Sequence, residues 1–319
     1  MKRAVVLLNM GGPNNLEEVE VFLNNMFNDK RIISAPKPIR MVIAKLITWQ
    51  RKKEAKSNYA ALGGKSPLVG YTQKLISKLE KHIDASIHMV MRYTPPFASD
   101  TVEKFKDVDE IYAIPLYPHY SSTTTLSSME DFDENIKKMG IKAKVITLEH
   151  YYKHPDYLAA IVERIKETIG DDNPQDFELV FSAHGLPKKI IEQGDDYQRH
   201  IKYNVFYARR ALQQAGIDFH NTHLAYQSRL GPLEWIRPYL DDKLKSLKKK
   251  KVIIYPIAFT IDNSETEFEL EVEYREIAEE LDFEEYRVAK APNDHPAFVK
   301  CITNLYESMK TQKSMKKTA

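Results

Sequence analysis

Glu178-Leu179-Val180-Phe181-Ser182-Ala183-His184-Gly185-Leu186-Pro187 opens as a short apolar run and closes on a glycine and a proline that stop regular structure. A run of this kind predicts a buried strand over residues 178–182, with His184 at its carboxyl end. Downstream, residues 196–214 repeat apolar side chains at intervals of three and four, the spacing of a helix, and residues 223–227 read again as a strand. Strand, helix and strand in succession are the mark of a βαβ unit and so of a parallel sheet.

The same alternation extends in both directions. Strands are predicted at residues 4–9, 88–93, 110–116, 144–148 and 251–259, with amphipathic stretches at 71–82, 157–169 and 268–281 between them. A break near residue 150 divides the 319 residues into two α/β domains, 1–150 and 151–319, each long enough for its own core. Residues 110–118 (EIYAIPLYP) and 252–259 (VIIYPIAF) both place a Tyr-Pro pair late in an apolar run, which points to a duplicated unit.

Composition narrows the function. With 47 basic and 45 acidic residues the net charge is +2, so no whole-protein field draws the chain to nucleic acid. The clusters at 248–251 and 313–317 read as a solvated helix end and a frayed tail, or as weak contacts with anionic lipid. Cys301 is the one cysteine, which rules out an intramolecular disulfide and fits a reducing cytoplasm. No stretch approaches the roughly 18 apolar residues of a membrane span. Residues 41–49 (MVIAKLITW), flanked by Arg40 and Arg51-Lys52-Lys53, read as an ordinary amphipathic helix, or as a lip that touches lipid and admits an apolar substrate.

In an open parallel sheet the ligand crevice lies at the carboxyl ends of the strands, and the unusual residues gather after the predicted strands. Met10-Gly11-Gly12-Pro13, Arg92-Tyr93, Tyr117-Pro118-His119-Tyr120-Ser121 and Tyr226-Gln227-Ser228-Arg229 join His184-Gly185 there. An imidazole with an ordinary pKa near 6.5 accepts a proton at neutral pH or binds a divalent transition metal, although a structural histidine would look the same in sequence. Ser264 and Glu267 read as a capping box starting a helix. Glu265, Glu269 and Glu273 then form a stripe of carboxylates whose mutual repulsion a cation would relieve; an acidic solvated face is the plainer account. Met10, Tyr59, Tyr93, Tyr117 and Tyr120 could hold a planar ring and Arg92 a carboxylate, yet each taken singly is as well explained by packing. Gly63-Gly64-Lys65-Ser66 lacks the first glycine of a phosphate loop, since Tyr59 stands there.

Taken in order, Leu8-Asn9-Met10-Gly11-Gly12-Pro13, Gly63-Gly64-Lys65-Ser66-Pro67, Met91-Arg92-Tyr93, Tyr117-Pro118-His119-Tyr120-Ser121, Phe181-Ser182-Ala183-His184-Gly185-Leu186-Pro187, Tyr226-Gln227-Ser228-Arg229-Leu230-Gly231-Pro232 and Ser264-Glu265-Thr266 resemble the ferrochelatase family over nearly the whole chain. The resemblance implies two Rossmann-like domains, with parallel sheets flanked by helices and a porphyrin cleft between them. It implies insertion of ferrous iron into protoporphyrin IX, the last step of haem synthesis, with release of two protons. His184 and Glu265 are implied as the pair that binds metal or moves protons, Glu269 and Glu273 as an ion or proton path. Met10, Tyr59, Ser66, Arg92, Tyr93, Tyr117, Tyr120, Ser121 and Trp235 are implied as the porphyrin surface.

Iron is then a substrate and no cofactor is tightly bound. The two-iron cluster that some members hold through four cysteines is excluded by the single Cys301, with Ser122 where such members have cysteine. Where many members carry Asp-His, this chain has Asp262-Asn263, so no role for a second histidine carries over. Met10 resembles the form acting on protoporphyrin, whereas relatives acting on coproporphyrin have tyrosine. A cytoplasmic protein in peripheral contact with the inner face of the membrane is expected, with haem-pathway enzymes or an iron donor as partners. The rival readings are a cobalt or nickel chelatase for another tetrapyrrole and a haem carrier that does not metallate.

Overall fold

A computed structural model describes residues 1–317, with side chains to residue 311. The chain divides into two compact units, one formed by Met1–His150 with the segment from Val299, the other by Tyr151–Phe298. Each holds a four-stranded, wholly parallel sheet flanked by helices.

In unit 1 the strands are β1 (Arg3–Asn9), β2 (Ser86–Met91), β3 (Glu110–Pro115) and β4 (Lys144–Thr147), in the order β2-β1-β3-β4. In unit 2 they are β5 (Glu178–His184), β6 (Asn221–Gln227), β7 (Lys251–Pro256) and β8 (Glu285–Val288), in the order β6-β5-β7-β8. Helices cover both faces of a parallel sheet, so its inner strands are buried on both sides and read as unbroken apolar runs. Ala4–Leu8 and Leu179–Phe181 are accordingly at most 1% exposed. Val6, Leu8, Phe105, Ala113 and Phe132 share one core in unit 1; Val180, Ala225, Ile254 and Leu270 share one in unit 2.

Two expectations shift. The strand over Glu285–Val288 was not foreseen, because four residues with Glu285 and Arg287 among them carry no apolar run. It is an edge strand whose Arg287 bonds outward to Asp172. The last helix, Pro296–Lys317, belongs from Val299 onward to unit 1, whereas the sequence reading left it in the second domain. Its Tyr306 hydroxyl donates to Asp84 at 2.9 Å and its ring stands edge-on to Tyr112 at 5.0 Å.

The helix Lys37–Ala61 turns Ile39, Val42, Leu46 and Trp49 outward, each more than half exposed, while Ala44 and Thr48 face in. The stretch 41–49 is thus divided: Ala44 and Ile47 pack with Val19, Leu23 and Phe27, as an amphipathic helix requires, while Val42, Leu46 and Trp49 add apolar surface on the outer side. Among the described residues no helix is long and apolar enough to cross a membrane.

Candidate active site

His184 ends β5, at the carboxyl edge of the unit 2 sheet, and the chain turns away at once through Gly185. That turn has no room for a side chain. A Cβ on Gly185 would lie 2.9 Å from the Gln227 carbonyl and 3.1 Å from the Trp235 ring, while the Gly185 N–H donates to that same carbonyl at 2.8 Å. Pro187 and Trp235 are bridged as short antiparallel partners, and the Tyr197 hydroxyl donates to the His184 carbonyl at 2.9 Å. The strand end is thereby fixed on three sides.

The imidazole orientation follows from its neighbours. Nδ1 bonds to the Gly185 carbonyl, which can only accept, so Nδ1 carries a proton and Nε2 is the nitrogen that changes state. Nε2 lies 3.4 Å from Glu265 Oε1. Burial works against a charged ring here, but the charge and hydrogen bond of Glu265, the charge of Glu269 and the Gly185 carbonyl outweigh it and push the His184 pKa up to about 9. Without metal, the ring at neutral pH is therefore an imidazolium, not the neutral base expected from its ordinary pKa. The other oxygen of the pair, Glu265 Oε2, is buried with no hydrogen-bond partner.

Glu265 opens a π-helical stretch, Glu265–Glu273, that runs on into the α-helix Tyr274–Glu280. Stretches with i→i+5 bonding are rare and cluster at functional sites. The predicted capping box is displaced by one residue. Ser264 supplies no side-chain cap; Asn263 Oδ1 accepts from the Glu265 N–H at 2.7 Å, and Thr266 Oγ1 accepts from the Asn263 N–H at 3.0 Å. Asn263, which could not serve as a second active-site base, is the residue that starts the helix and aims Glu265. Asp262, its neighbour, is a buried anchor that accepts from Ala291 N–H at 3.1 Å and from Asn293 Nδ2 at 2.6 Å.

The acidic stripe is graded in exposure. Glu265 and Glu269 are half-buried and Glu273 is exposed. Burial, then the neighbouring Glu265, pushes the Glu269 pKa up to about 7. Glu269 Oε2 receives Gln227 Nε2 at 3.0 Å and Ser228 Oγ at 2.6 Å, and Gln227 is itself oriented by Ser182 Oγ at 2.7 Å. Gln227 and Ser228 were quoted as part of a motif but not as site residues. The one hint available was their place at the end of a predicted strand, and Ser228 has the left-handed backbone (φ 65°) that aims its hydroxyl.

The porphyrin-surface residues separate into two groups. Tyr59, Ser66, Tyr93, Tyr117 and Ser121 are buried. Tyr93 donates to Asp29 at 2.9 Å, Tyr117 bonds Ser128 at 3.2 Å, and Ser121 Oγ accepts from the Thr123 N–H at 3.2 Å at the start of a second π-helical turn, Ser122–Leu126. Arg92 lies 3.2 Å from Asp29, 3.5 Å from Asp131 and 2.9 Å from Ser127 Oγ, with its side chain 23% exposed. Trp235 is buried as well, 6.3 Å from the His184 ring and donating its Nε1–H to the Leu230 carbonyl at 2.9 Å, whereas Met10 and Tyr120 stay half-exposed. Among the described residues, no group of three or more His, Cys, Asp or Glu gathers into a metal-holding cluster.

The family model for ferrochelatase matches residues 2–310. This chain belongs to the ferrochelatase family. The ferrochelatase of Sulfurimonas denitrificans is 50% identical over 97% of this chain and 99% of its own length. That of Nitratiruptor is 49% identical over 96% and 100%, and that of Campylobacter fetus 48% over 95% and 98%.

Among solved structures, the sirohydrochlorin chelatase SirB of Bacillus subtilis subspecies spizizenii, in complex with cobalt, aligns with a TM-score of 0.57 at 10% identity, over 97% of this chain and 95% of its own. CbiX, the terminal enzyme of sirohaem biosynthesis in denitrifying bacteria, aligns at 0.51 and 12%, over 97% and 99%. At that identity the likeness places this ferrochelatase in the chelatase fold and says nothing of its metal or macrocycle.

Proposed function

We propose that this ferrochelatase inserts ferrous iron into protoporphyrin, within haem biosynthesis, at the pair formed by His184 and Glu265. The observation that carries the assignment is the pair itself: an imidazole nitrogen and a carboxylate 3.4 Å apart at the carboxyl edge of a parallel sheet, with a buried carboxylate oxygen left unbonded. Two protein donors leave the remaining positions of the iron to water and then to the four pyrrole nitrogens. Insertion also displaces two pyrrole protons, which need an acceptor near the ring and a way out.

The geometry suits an order of events. Arriving iron is attracted to the Glu265 carboxylate, and its charge works against the imidazolium proton, which passes to Glu269 and leaves the Nε2 lone pair to hold the metal. When the metal leaves for the ring, Nε2 takes one of the two pyrrole protons and the freed Glu265 carboxylate takes the other. Glu269, held by Gln227 and Ser228 and ionising close to neutrality, passes protons on toward exposed Glu273. Gln227 and Ser228 keep that relay in place, and the Trp235 ring stands beside the His184 imidazole.

Contact with a membrane surface is proposed on separate ground. Ile39, Val42, Leu46 and Trp49 form an outward apolar stripe on the helix Lys37–Ala61, with Lys45, Arg51, Lys52 and Lys53 on the same helix. Apolar residues with basic companions are what an interfacial helix presents to anionic lipid. Protoporphyrin partitions into the same layer.

The central experiment measures porphyrin binding and metallation separately in His184→Ala and Glu265→Gln, by visible spectra under anaerobic ferrous iron. Binding is retained and metallation falls at least about a hundredfold in each, the scale of a lost acid–base or ligand group. Normal turnover in either variant would remove that residue from the reaction. A wild-type chain that binds protoporphyrin without metallating it would be a carrier instead.

A further inference from the structure

Residues 257–263 carry the chain from β7 to Glu265 as neither strand nor helix, yet Thr260, Ile261, Asp262 and Asn263 are all buried. Buried backbone outside regular structure has to find its hydrogen bonds in another segment. Here that segment is residues 289–295, the loop that follows β8. The Asn293 N–H donates to the Thr260 carbonyl at 2.8 Å, and Asn293 Oδ1 accepts from the Asp262 N–H at 2.8 Å. In return the Asp262 carboxylate accepts from Asn293 Nδ2 at 2.6 Å and from the Ala291 N–H at 3.1 Å. Asn293 takes part in three of these four bonds.

Its backbone suits Asn293 to the place. The residue is 2% exposed with φ 51°, in the left-handed region that asparagine and aspartate enter more readily than other residues with a side chain. The loop is held from its other side by Arg164, on the helix Pro155–Ile169. Arg164 Nε donates to the Ala291 carbonyl at 3.1 Å and Nη2 to the Pro292 carbonyl at 2.9 Å. Asn293 therefore stands on a fixed base and presents both a donor and an acceptor to Asp262.

The held segment leads to the metal-handling pair in two steps. Asn263 Nδ2 donates to the Ile261 carbonyl at 3.2 Å, and Asn263 Oδ1 accepts from the Glu265 N–H at 2.7 Å. Glu265 Oε1 then lies 3.4 Å from His184 Nε2. A displacement of residues 260–262 moves the Ile261 carbonyl, turns the Asn263 amide and redirects Glu265. About 1 Å of misplacement at a reacting group can lower a rate about a hundredfold. Asp262 has both oxygens taken by N–H donors and is 3% exposed, so the geometry makes it a holding group and not a proton carrier.

We propose that Asn293 is a positioning residue for metal insertion: its reciprocal bonds with Asp262 fix the Asn263 cap and hence the distance from Glu265 to His184. The proposal rests on the reading of His184 and Glu265 as the pair that handles the metal.

The test exchanges the two side chains. Asp262→Asn alone sets an amide NH2 against an amide NH2, and Asn293→Asp alone sets a carboxylate against a carboxylate. Asp262→Asn/Asn293→Asp remakes all three side-chain bonds with donor and acceptor reversed. Each single variant lowers kcat/KM for ferrous iron at least about tenfold while the KM for protoporphyrin stays within about twofold, and the exchanged pair returns the iron value to within about threefold of the wild type. An exchanged pair no better than its parents overturns the proposal, because the charge at residue 262 and not the bonded pair would then be what insertion needs. Asn293→Gly does not depend on the chain tolerating opposed charges. It keeps the left-handed backbone and the bond to Thr260 while deleting the side chain. An Asn293→Gly chain with native circular dichroism and wild-type iron kinetics, beside a slow Glu265→Gln, overturns the role of Asn293 alone. A Glu265→Gln chain at the wild-type rate overturns the metal-handling pair, and the role of Asn293 with it.

Discussion

His184 shows how far one residue's chemistry is set by its neighbours. The sequence gives an imidazole at a strand end, with an ordinary pKa near 6.5. Burial alone would lower that value; Glu265 and Glu269 reverse the sign and bring it to about 9. Because the folded chain holds this proton more tightly than the unfolded one, the pair's contribution to stability is complete below about pH 6.5 and is lost as pH rises through about 9. Nitrogen-15 NMR of the imidazole should show His184 titrating near the upper value in the wild type and moving toward 6.5 in Glu265→Gln. A midpoint that ignores the substitution would mean that Glu265 does not hold the proton. Gly185 makes a second residue-scale prediction. With 2.9 Å to the Gln227 carbonyl in place of a Cβ, Gly185→Ala must displace backbone at the site. Metallation should fall at least about tenfold, with a loss of stability of about 1–3 kcal/mol in chemical denaturation, the usual scale of overpacking.

At the scale of elements, the parallel strands were legible because burial on both faces writes an unbroken apolar run, as in Ala4–Leu8 and Leu179–Phe181. Their ends were less so: β6 begins two residues before the expected start, and β7 stops at Pro256 where apolar character continues to Phe259. The helix carrying the acidic stripe was legible as a helix and misread at its start. Ser264 and Glu267 satisfy the capping pattern on paper, but the bonds are made one residue earlier, by Asn263 and Thr266. Either register fits the sequence, and only the path of the chain leaving β7 chooses between them. Asn263→Ala should therefore cost about 1 kcal/mol in thermal or denaturant unfolding, whereas Ser264→Ala should cost less. It should also slow metallation, because the same bond sets the direction of Glu265.

For the molecule as a whole, duplication was visible in sequence only as two Tyr-Pro pairs in apolar runs, and the register corrects even that, aligning Pro115 rather than Pro118 with Pro256. The outward stripe of the helix Lys37–Ala61 belongs to this scale, since its amphipathic pattern is the same whether the apolar side faces core or lipid. Cosedimentation with vesicles containing anionic phospholipid should be weakened about tenfold in Leu46→Ser/Trp49→Ser relative to the wild type, with metallation of detergent-solubilised porphyrin unaffected. Equal cosedimentation would leave the stripe without a lipid partner.

What the sequence determined by itself was the alternation of strands and helices, the position of His184 at a strand end and the spacing of Glu265, Glu269 and Glu273. These are local properties, fixed by side-chain volume, period and the few residues that stop regular structure. Tertiary structure decided the rest: that Nδ1 is committed to a carbonyl and Nε2 to Glu265, that Gln227 and Ser228 hold Glu269, and that Arg92 is bound by Asp29 and Asp131. Each depends on groups far apart along the chain brought to a few ångströms. Protonation and pairing follow from distance and burial, neither of which one sequence position carries.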